Sequence, residues 1–155
     1  MPRTGLNEDA IPAALWAPAV MPLLLEGHQL RIPLSGMSMY PFIVGGRDEV
    51  LLTSVSKKKP KRGDIVLYAR STGKHVLHRI HHIRSEGFYM LGDSSSEIEG
   101  PISPKDVLAV TETIIRKGKQ IHCRNLVYRI ISEIWLLLRL LRPMIIKIAN
   151  KLLHR

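Results

Sequence analysis

The chain has 155 residues, of which 45% are hydrophobic and 23% charged. This composition excludes collagen-like, low-complexity and wholly disordered chains and suits one compact domain with an appendage. A single cysteine, Cys123, excludes an internal disulfide and a zinc-ligand set. The net charge of +10 is concentrated in the tail: residues 1–115 carry 13 Lys and Arg against 12 Asp and Glu, whereas residues 116–155 carry 10 against Glu133 alone.

Residues 1–21 are predicted to form an N-terminal extension. The apolar stretch 10–25 contains three prolines, and a membrane span needs about 20 residues of helix, so this stretch is not expected to cross a bilayer. Polar and acidic residues 7–9 stand where a secretory signal would be basic, which argues against such a signal. Pro22 in a first helical turn and Gly27 as a stop predict a short helix leading into the domain.

Residues 22–124 are predicted to form a single β domain. Short β-type runs are separated by Gly, Pro and Asp without helical interludes, a spacing typical of all-β barrels and sandwiches. Residues 117–119 predict a hairpin turn. The basic run 57–62 is interpreted as a solvated loop between strands rather than a nuclear localisation patch. The predicted strands are 28–34, 49–54, 64–70, 75–83, 88–91, 107–115 and 120–124.

A polar, glycine-containing turn at residues 35–41 carries the first candidate for chemistry. Gly36 permits unusual backbone angles and close approach of a ligand, while Pro41 fixes the exit of the turn. These residues would present Ser38 on a rigid corner with its own N–H facing a substrate carbonyl. Taken alone, the segment is also compatible with a purely structural turn.

Residues 76–83 supply a candidate general base, which a serine nucleophile requires. Their alternation predicts a strand on which His78 shares a face with Val76 and Ile80. Half-burial of this kind lowers an imidazole pKa and keeps the ring neutral. His82 lies about 13 Å along the same face, at about 3.3 Å per residue, too far to share a metal ion. A hydrogen-bonded surface histidine is the alternative.

Residues 87–95 predict a strand that ends in a Gly–Asp turn. Asp93 would project a carboxylate from this end toward His78, where it would fix the imidazole tautomer and complete a triad with Ser38. An aspartate that bonds its own turn backbone is the alternative.

Taken in order, these segments resemble the signal peptidase I and self-cleaving repressor superfamily of serine peptidases, the S24/S26 group. Residues 35–41 are similar to the nucleophile box, 61–66 to the strand start that follows, 78–80 to the segment carrying the general base, and 92–94 to the closing Gly–Asp box. The similarity extends over about residues 22–120.

The resemblance implies a small signal-peptidase-like β-barrel in which Ser38 is the nucleophile, His78 the base and Asp93 the acid that orients it. Histidine replaces the lysine of bacterial leader peptidases, as in the archaeal and endoplasmic-reticulum branch. No cofactor and no metal ion are implied. Gly36 stands where some bacterial members have an oxyanion-binding serine, so the backbone N–H of Ser38 is the expected donor. The implied oxyanion- and substrate-binding residues are Gly36, Met37, Met39 and Pro41.

Residues 125–155 are predicted to form a basic amphipathic helix that Pro143 kinks or splits in two. Arg139, Arg142 and Lys147 would each cost roughly 2.5–3.5 kcal/mol at mid-bilayer, so the helix is expected to lie on an anionic membrane surface rather than to span it. Packing on the domain or on a second copy is the alternative, and nucleic acid is not expected because no aromatic residues are interleaved with the tail Arg and Lys. The predicted apolar row is Ile130, Ile134, Leu138, Leu141, Ile145, Ile148 and Leu152.

The sequence therefore predicts a serine endopeptidase that cleaves an extended peptide or the leader segment of a preprotein. Its expected location is the cytoplasm or the cytoplasmic face of a membrane, where anionic lipid meets basic residues. A catalytically inactive membrane-surface or peptide-binding module of the same fold is the alternative, and a basic nucleic-acid binder is a third possibility. No oligomeric state follows from the sequence.

Overall fold

The computed structural model describes residues 13–154, which form an antiparallel sheet of eight strands with one α-helix before it and two after it. The mainly β class is therefore confirmed. The helices are α1 (Ala13–Leu25), α2 (Leu126–Leu137) and α3 (Arg142–Leu153), with short 3-10 turns at Pro104–Asp106 and Arg139–Leu141. The strands are β1 (Leu30–Pro33), β2 (Asp48–Ser54), β3 (Ile65–Ala69), β4 (His75–Arg84), β5 (Gly87–Leu91), β6 (Glu99–Ile102), β7 (Val107–Arg116) and β8 (Lys119–His122).

The predicted closed barrel is wrong, because the sheet is open. Its strands follow the order β1-β2-β7-β3-β4-β5-β6, with β8 paired to β7, and within residues 13–154 no pairing joins β1 to β6. Each of these end strands has four residues and contains a proline, Pro33 in β1 and Pro101 in β6. Because proline has no N–H to donate, both strands are suited to an edge rather than to closing a ring.

The core consists of two buried clusters that share β3. Ile65 and Leu67 belong to a cluster with residues of α1, β1, β2 and β7, whereas Val66 and Tyr68 belong to a second cluster with residues of β4, β5 and β7. Successive side chains of a strand point to opposite faces, and both faces of β3 are therefore covered. This burial fixes the position of the two neighbouring strands that carry the site, β3 and β4.

Two elements differ from the sequence-based expectation. Helix α1 begins well before Pro22 and includes Pro18, since burial of Ala17 and Leu24 offsets the backbone hydrogen bonds that the prolines remove. Strand β6 was not predicted, because its Gly and Pro are typical of a turn. The predicted extension at residues 1–21 lies in part outside the described residues.

The C-terminal segment forms two helices, as the position of Pro143 predicts. The Asn125 side chain accepts hydrogen bonds from the backbone N–H groups of Val127 and Tyr128 (2.9 and 3.3 Å) and so caps α2. Proline in the first turn of α3 costs no helical bond. Among the helices of residues 13–154, none has the length and apolar character needed to cross a membrane.

Candidate active site

Ser38 lies on an exposed turn that follows β1. Gly36 has a φ of 82°, a left-handed conformation that favours glycine, and its carbonyl accepts a hydrogen bond from the N–H of Gly45 (3.0 Å). A β-carbon at Gly45 would collide with the backbone of Ser35 and Gly36. The Ser38 turn is therefore held against a second glycine-containing turn, which is possible only because Gly45 has no side chain.

The structure brings the Ser38 turn and the His78 ring together beside Gly92. A β-carbon built on Gly92 would lie 2.9 Å from the Ser38 carbonyl oxygen and 3.2 Å from His78 Nε2. Both groups therefore border the same small volume, which Gly92 leaves free. Nε2, rather than Nδ1, is the imidazole nitrogen on the Ser38 side.

The Ser38 hydroxyl and the His78 imidazole are not hydrogen-bonded to each other within residues 13–154. The N–H and the hydroxyl of Ser94 instead hold the Ser38 carbonyl, each at 3.1 Å. In peptidases without substrate, nucleophile and base are often more widely separated than in the reacting complex.

The other imidazole nitrogen of His78 is engaged by a hydroxyl relay. Tyr68 Oη lies 3.2 Å from His78 Nδ1 and donates a hydrogen bond to Glu99 (2.8 Å). Because the tyrosine proton is committed to the carboxylate, Nδ1 must be the protonated nitrogen that donates to Tyr68. Arg70 completes the relay with two hydrogen bonds to Glu99, both 2.7 Å. The arrangement leaves Nε2 with a free lone pair.

Burial keeps His78 neutral despite the negative charge of the relay. Burial lowers the pKa of His78 to about 4, against the opposing negative charge of Glu99. The hydrogen bonds from Arg70 lower the pKa of Glu99 despite its partial burial, so this carboxyl is ionised. Burial, followed by the hydrogen bond to Glu99, raises the pKa of Tyr68. At neutral pH the relay therefore consists of a neutral imidazole, a neutral phenol, a carboxylate and a guanidinium.

The predicted role of Asp93 is wrong, because its carboxylate serves Arg79 and not His78. Arg79 donates two hydrogen bonds to Asp93 (2.9 and 2.7 Å) and a third to the Gly63 carbonyl (2.9 Å), and the side chains of Arg79 and Asp93 are both 0% exposed. Consecutive residues of β4 face opposite sides of the strand. The partner of Arg79 is therefore separated from the face on which His78 meets Tyr68.

The loop at residues 92–96 is fastened by the C-terminal helices. Arg142 is fully buried and donates to the carbonyls of Gly92 and Ser95, both at 3.0 Å. Trp135 Nε1 donates to the Asp93 carbonyl (2.9 Å), and Arg139 donates to the Ser96 carbonyl (2.6 Å). Since Ser94 in this loop holds the Ser38 carbonyl, the helices contribute to the position of the Ser38 turn.

A groove of about 350 Å³ adjoins Ser38. It is lined by residues 33–36, which lead into the Ser38 turn, and by residues 74–77 at the start of β4. Strand β5 pairs with β4 only from Arg79 to Arg84, so within the described chain residues 75–78 are paired on one edge alone, with β3. A partly apolar groove beside an unpaired strand edge can accept a peptide in extended conformation.

The predicted oxyanion- and substrate-binding set is divided by the structure. Gly36 and Met39 line the groove, although Met39 is also part of the core. Met37 is exposed but does not line the groove. Pro41 lies elsewhere, in a separate apolar groove with Tyr128 and Trp135.

Several residues of the site were missed by sequence reasoning. Tyr68, Arg70 and Glu99 carry no local motif, and only the pairing of β3 with β4 and the unexpected strand β6 bring them to His78. Arg142 was interpreted only as one of the charges that keep the C-terminal helix from spanning a membrane. One sequence feature could have indicated the second turn that packs against the Ser38 turn. It is the glycine pair at residues 45–46, which follows the Ser38 turn in the sequence.

No protein-family model, curated protein or solved structure matched this chain in the comparisons.

Proposed function

We propose that this chain is a serine endopeptidase of the signal peptidase type, with a small β fold of that class and a Ser38–His78 pair as its catalytic centre. The observation that carries the proposal is the orientation of His78. Its Nδ1 is engaged by Tyr68 while Nε2 borders the Ser38 turn. A buried imidazole that is neutral and singly oriented has the protonation state and direction required of a general base.

In the proposed reaction, Ser38 Oγ attacks the carbonyl carbon of the substrate peptide bond. The serine proton moves to His78 Nε2, and the carbonyl oxygen becomes an oxyanion that the backbone N–H of Ser38 is placed to stabilise. Cleavage of the C–N bond transfers the proton from His78 to the leaving amine and leaves an acyl ester on Ser38. Water then attacks the ester carbonyl while His78 Nε2 takes its proton. The ester C–O bond breaks, the acid is released, and His78 returns the proton to Ser38 Oγ.

Tyr68, Glu99 and Arg70 act in this proposal as positioning residues. Tyr68 accepts the Nδ1 proton of His78 in a hydrogen bond, which holds the tautomer in which Nε2 is the base. When Nε2 becomes protonated, the negative charge of Glu99 stabilises the imidazolium through the phenol between them. This is the task that the sequence assigned to Asp93.

The substrate we propose is an extended peptide, such as the leader segment of a preprotein. The unpaired edge of residues 75–78 offers backbone hydrogen bonds to such a segment, and the groove between this edge and the nucleophile turn offers room for apolar side chains. Lys74 contributes a cation to the same groove, which favours a substrate without a positive charge at that point.

We place the reaction in the cytoplasm or at the cytoplasmic face of a membrane. The support for this location is the basic character of the tail, because the cytoplasmic leaflet carries the anionic lipids to which basic segments are attracted.

The test is cleavage of a peptide library by the purified full chain and by three variants. Ser38→Ala should abolish cleavage and His78→Asn should reduce it by about three to four orders of magnitude. Ser85→Ala is the control, because this exposed serine lies in the turn between β4 and β5 and does not line the groove, and it should retain activity. Cleavage that persists in both Ser38→Ala and His78→Asn would overturn the proposal.

One observation favours a second candidate function, a peptide-binding module without catalysis. The Ser38 hydroxyl does not reach His78 in this structure, and a site that never closed this distance would bind but not cleave. Such a module would hold the same library peptides intact in the Ser38 groove. Retention of peptides by wild type, with no product after prolonged incubation, would establish this alternative and end the peptidase proposal.

A further inference from the structure

The outward sides of α2 and α3 are apolar. Their exposed residues recur at helical steps of three and four and are each between 51 and 77% exposed within residues 13–154. We refer to them together as the outer apolar face. Its members are Ile130, Ile134 and Leu137 in α2 and Met144, Ile148 and Leu152 in α3.

The buried sides of α2 and α3 contact the rest of the domain, and these contacts hold the outer apolar face on the outside. Ser132 and Leu136 of α2 and Arg142 of α3 are buried, and Trp135 is bonded to the Asp93 carbonyl (2.9 Å). If either helix rotated to bury its apolar residues, the contacts that Arg142 and Trp135 make with the 92–96 loop would be lost. The outer apolar face is therefore a permanent surface of the domain and not a core that has failed to pack.

The charge beside this face distinguishes between possible partners. In α3, Lys147 and Lys151 are exposed and directly precede Ile148 and Leu152, and α3 contains no acidic residue. Glu133, the acid of α2, is engaged by Arg62 at 3.1 Å. A helix with an apolar strip and flanking lysines can bury the strip while its ammonium groups reach toward lipid phosphates.

A second copy of the chain is a poorer fit to the same surface. Two copies packed through this face would bring their lysine-bearing strips together, with α3 supplying no carboxylates to compensate. Nucleic acid would engage the lysines but leave the exposed Ile and Leu side chains without a partner.

We propose that the outer apolar face docks α2 and α3 in the plane of an anionic membrane surface, with Lys147 and Lys151 at the level of the lipid phosphates. The inference does not depend on the chemistry of Ser38. Since the same helices hold the 92–96 loop, docking would bring the peptidase domain to substrates that are themselves at the membrane.

The test is partition of the purified full chain onto vesicles of phosphatidylglycerol and phosphatidylcholine in equal parts, compared with vesicles of phosphatidylcholine alone. Wild type should bind the anionic vesicles. Lys147→Glu combined with Lys151→Glu should weaken binding about thirtyfold or more. The matched control is Lys59→Glu combined with Lys105→Glu, which changes the charge equally at exposed sites away from the face and should have a much smaller effect.

Ile148→Asp tests the apolar contribution and should weaken binding about tenfold. Ile83→Asp is its control, because Ile83 is similarly exposed (45% against 51%) but lies in β4.

Equal losses in the control and test variants would overturn the proposal. A concentration-dependent dimer would also overturn it, if Ile148→Asp dissociates the dimer and anionic vesicles do not compete with it. The same holds for tight binding of RNA or DNA that anionic vesicles do not displace. Peptide cleavage without lipid should be unchanged in Ile148→Asp, which separates failure of docking from failure of the peptidase proposal.

Discussion

Two carboxylates influence His78, and they lie in different surroundings. Asp93 is completely buried and is paired through two hydrogen bonds with the buried Arg79. Glu99 is partly exposed, shares its charge between Arg70 and Tyr68, and reaches His78 through the phenol. Burial would lower the pKa of Arg79, but Asp93 more than offsets it and the pKa of Arg79 is raised. The Asp93 network is thus a closed structural unit, whereas the Glu99 network ends at the candidate base.

The contrast shows that the acid nearest a histidine in a sequence motif need not be the acid that is hydrogen-bonded toward that histidine. The carboxylate whose hydrogen-bonding capacity is satisfied elsewhere stabilises the fold, and the one connected by a hydroxyl sets the tautomer. Variants of the two networks should therefore separate into those that lose the fold and those that lose the reaction.

The largest effect is expected from breaking the buried pair. Asp93→Asn leaves the Arg79 guanidinium buried without a counter-ion, which should lower the free energy of unfolding by about 3–5 kcal/mol. Urea denaturation followed by tryptophan fluorescence measures this loss. A variant that unfolds at the wild-type urea concentration would show that the pair is not the structural unit described.

The next effect concerns the clamp on the 92–96 loop. Arg142→Met removes the donors to the buried carbonyls of Gly92 and Ser95 and should cost about 2–3 kcal/mol. The amide of Ser94 should then exchange hydrogen faster. Arg139→Met, which loses a single contact to the Ser96 carbonyl, is the milder control, and similar costs for both variants would contradict the assignment.

Breaking the relay should affect the rate more than the stability. Tyr68→Phe removes the acceptor of the His78 Nδ1 proton, so kcat should fall about ten- to a hundredfold with little change in KM. Tyr89→Phe serves as the control, because the Tyr89 hydroxyl bonds the exposed Glu86 (2.7 Å) and has no contact with the relay. An undiminished kcat in Tyr68→Phe would remove the relay from the mechanism.

The pH dependence should follow the lowered pKa of His78. Because the folded pKa is about 4, against an ordinary value of 6.5, kcat/KM should remain high at pH 5 and fall only as the pH approaches 4. Glu99→Gln removes a charge that raises this pKa, and the acid limb should move to still lower pH.

The same shift has a consequence for stability. Between pH 6.5 and 4 the unfolded chain binds a proton at His78 that the folded chain does not, so the free energy of unfolding should decrease as the pH falls through this window. His81, whose pKa burial also lowers to about 4, contributes in the same direction. His78→Asn should flatten the dependence in part, and an unchanged slope would contradict the burial of a neutral His78.

The smallest effect is expected at the surface. Arg62 and Glu133 form an ion pair at 3.1 Å in which both side chains are 42% exposed. Glu133→Gln should change the free energy of unfolding by no more than about 1 kcal/mol, less at high salt, and should leave peptide cleavage unchanged.

Much of the fold was predictable from local pattern. Strand β4 and the hairpin at residues 117–119 are encoded by neighbouring residues, and both are present. The open sheet was not predictable, because it depends on which strands fail to pair. Strand β6 was missed since Gly100 and Pro101 have low strand propensity, and its pairing with β5 overrides that preference.

The site was predictable only where a motif is local. Ser38 and His78 were predicted as candidates from the turn and the strand pattern, and the structure places the Ser38 turn and the His78 ring beside a common volume. Asp93 was misassigned because a sequence does not show that Arg79 claims both carboxylate oxygens. Tyr68 and Glu99 could not be found, since their approach to His78 depends on the register of β3 against β4 and on an unexpected strand.

The central claim is that neutral His78 makes Ser38 an activated nucleophile. The direct measurement is the rate at which a serine-reactive phosphonate labels the purified chain, with the modified residue located by peptide mass spectrometry. We expect a single label on Ser38 in wild type, loss of the label in Ser38→Ala, and labelling slowed by orders of magnitude in His78→Asn but not in Ser85→Ala. Labelling of Ser38 at the same rate in His78→Asn, or no labelling of Ser38 in wild type, would contradict it.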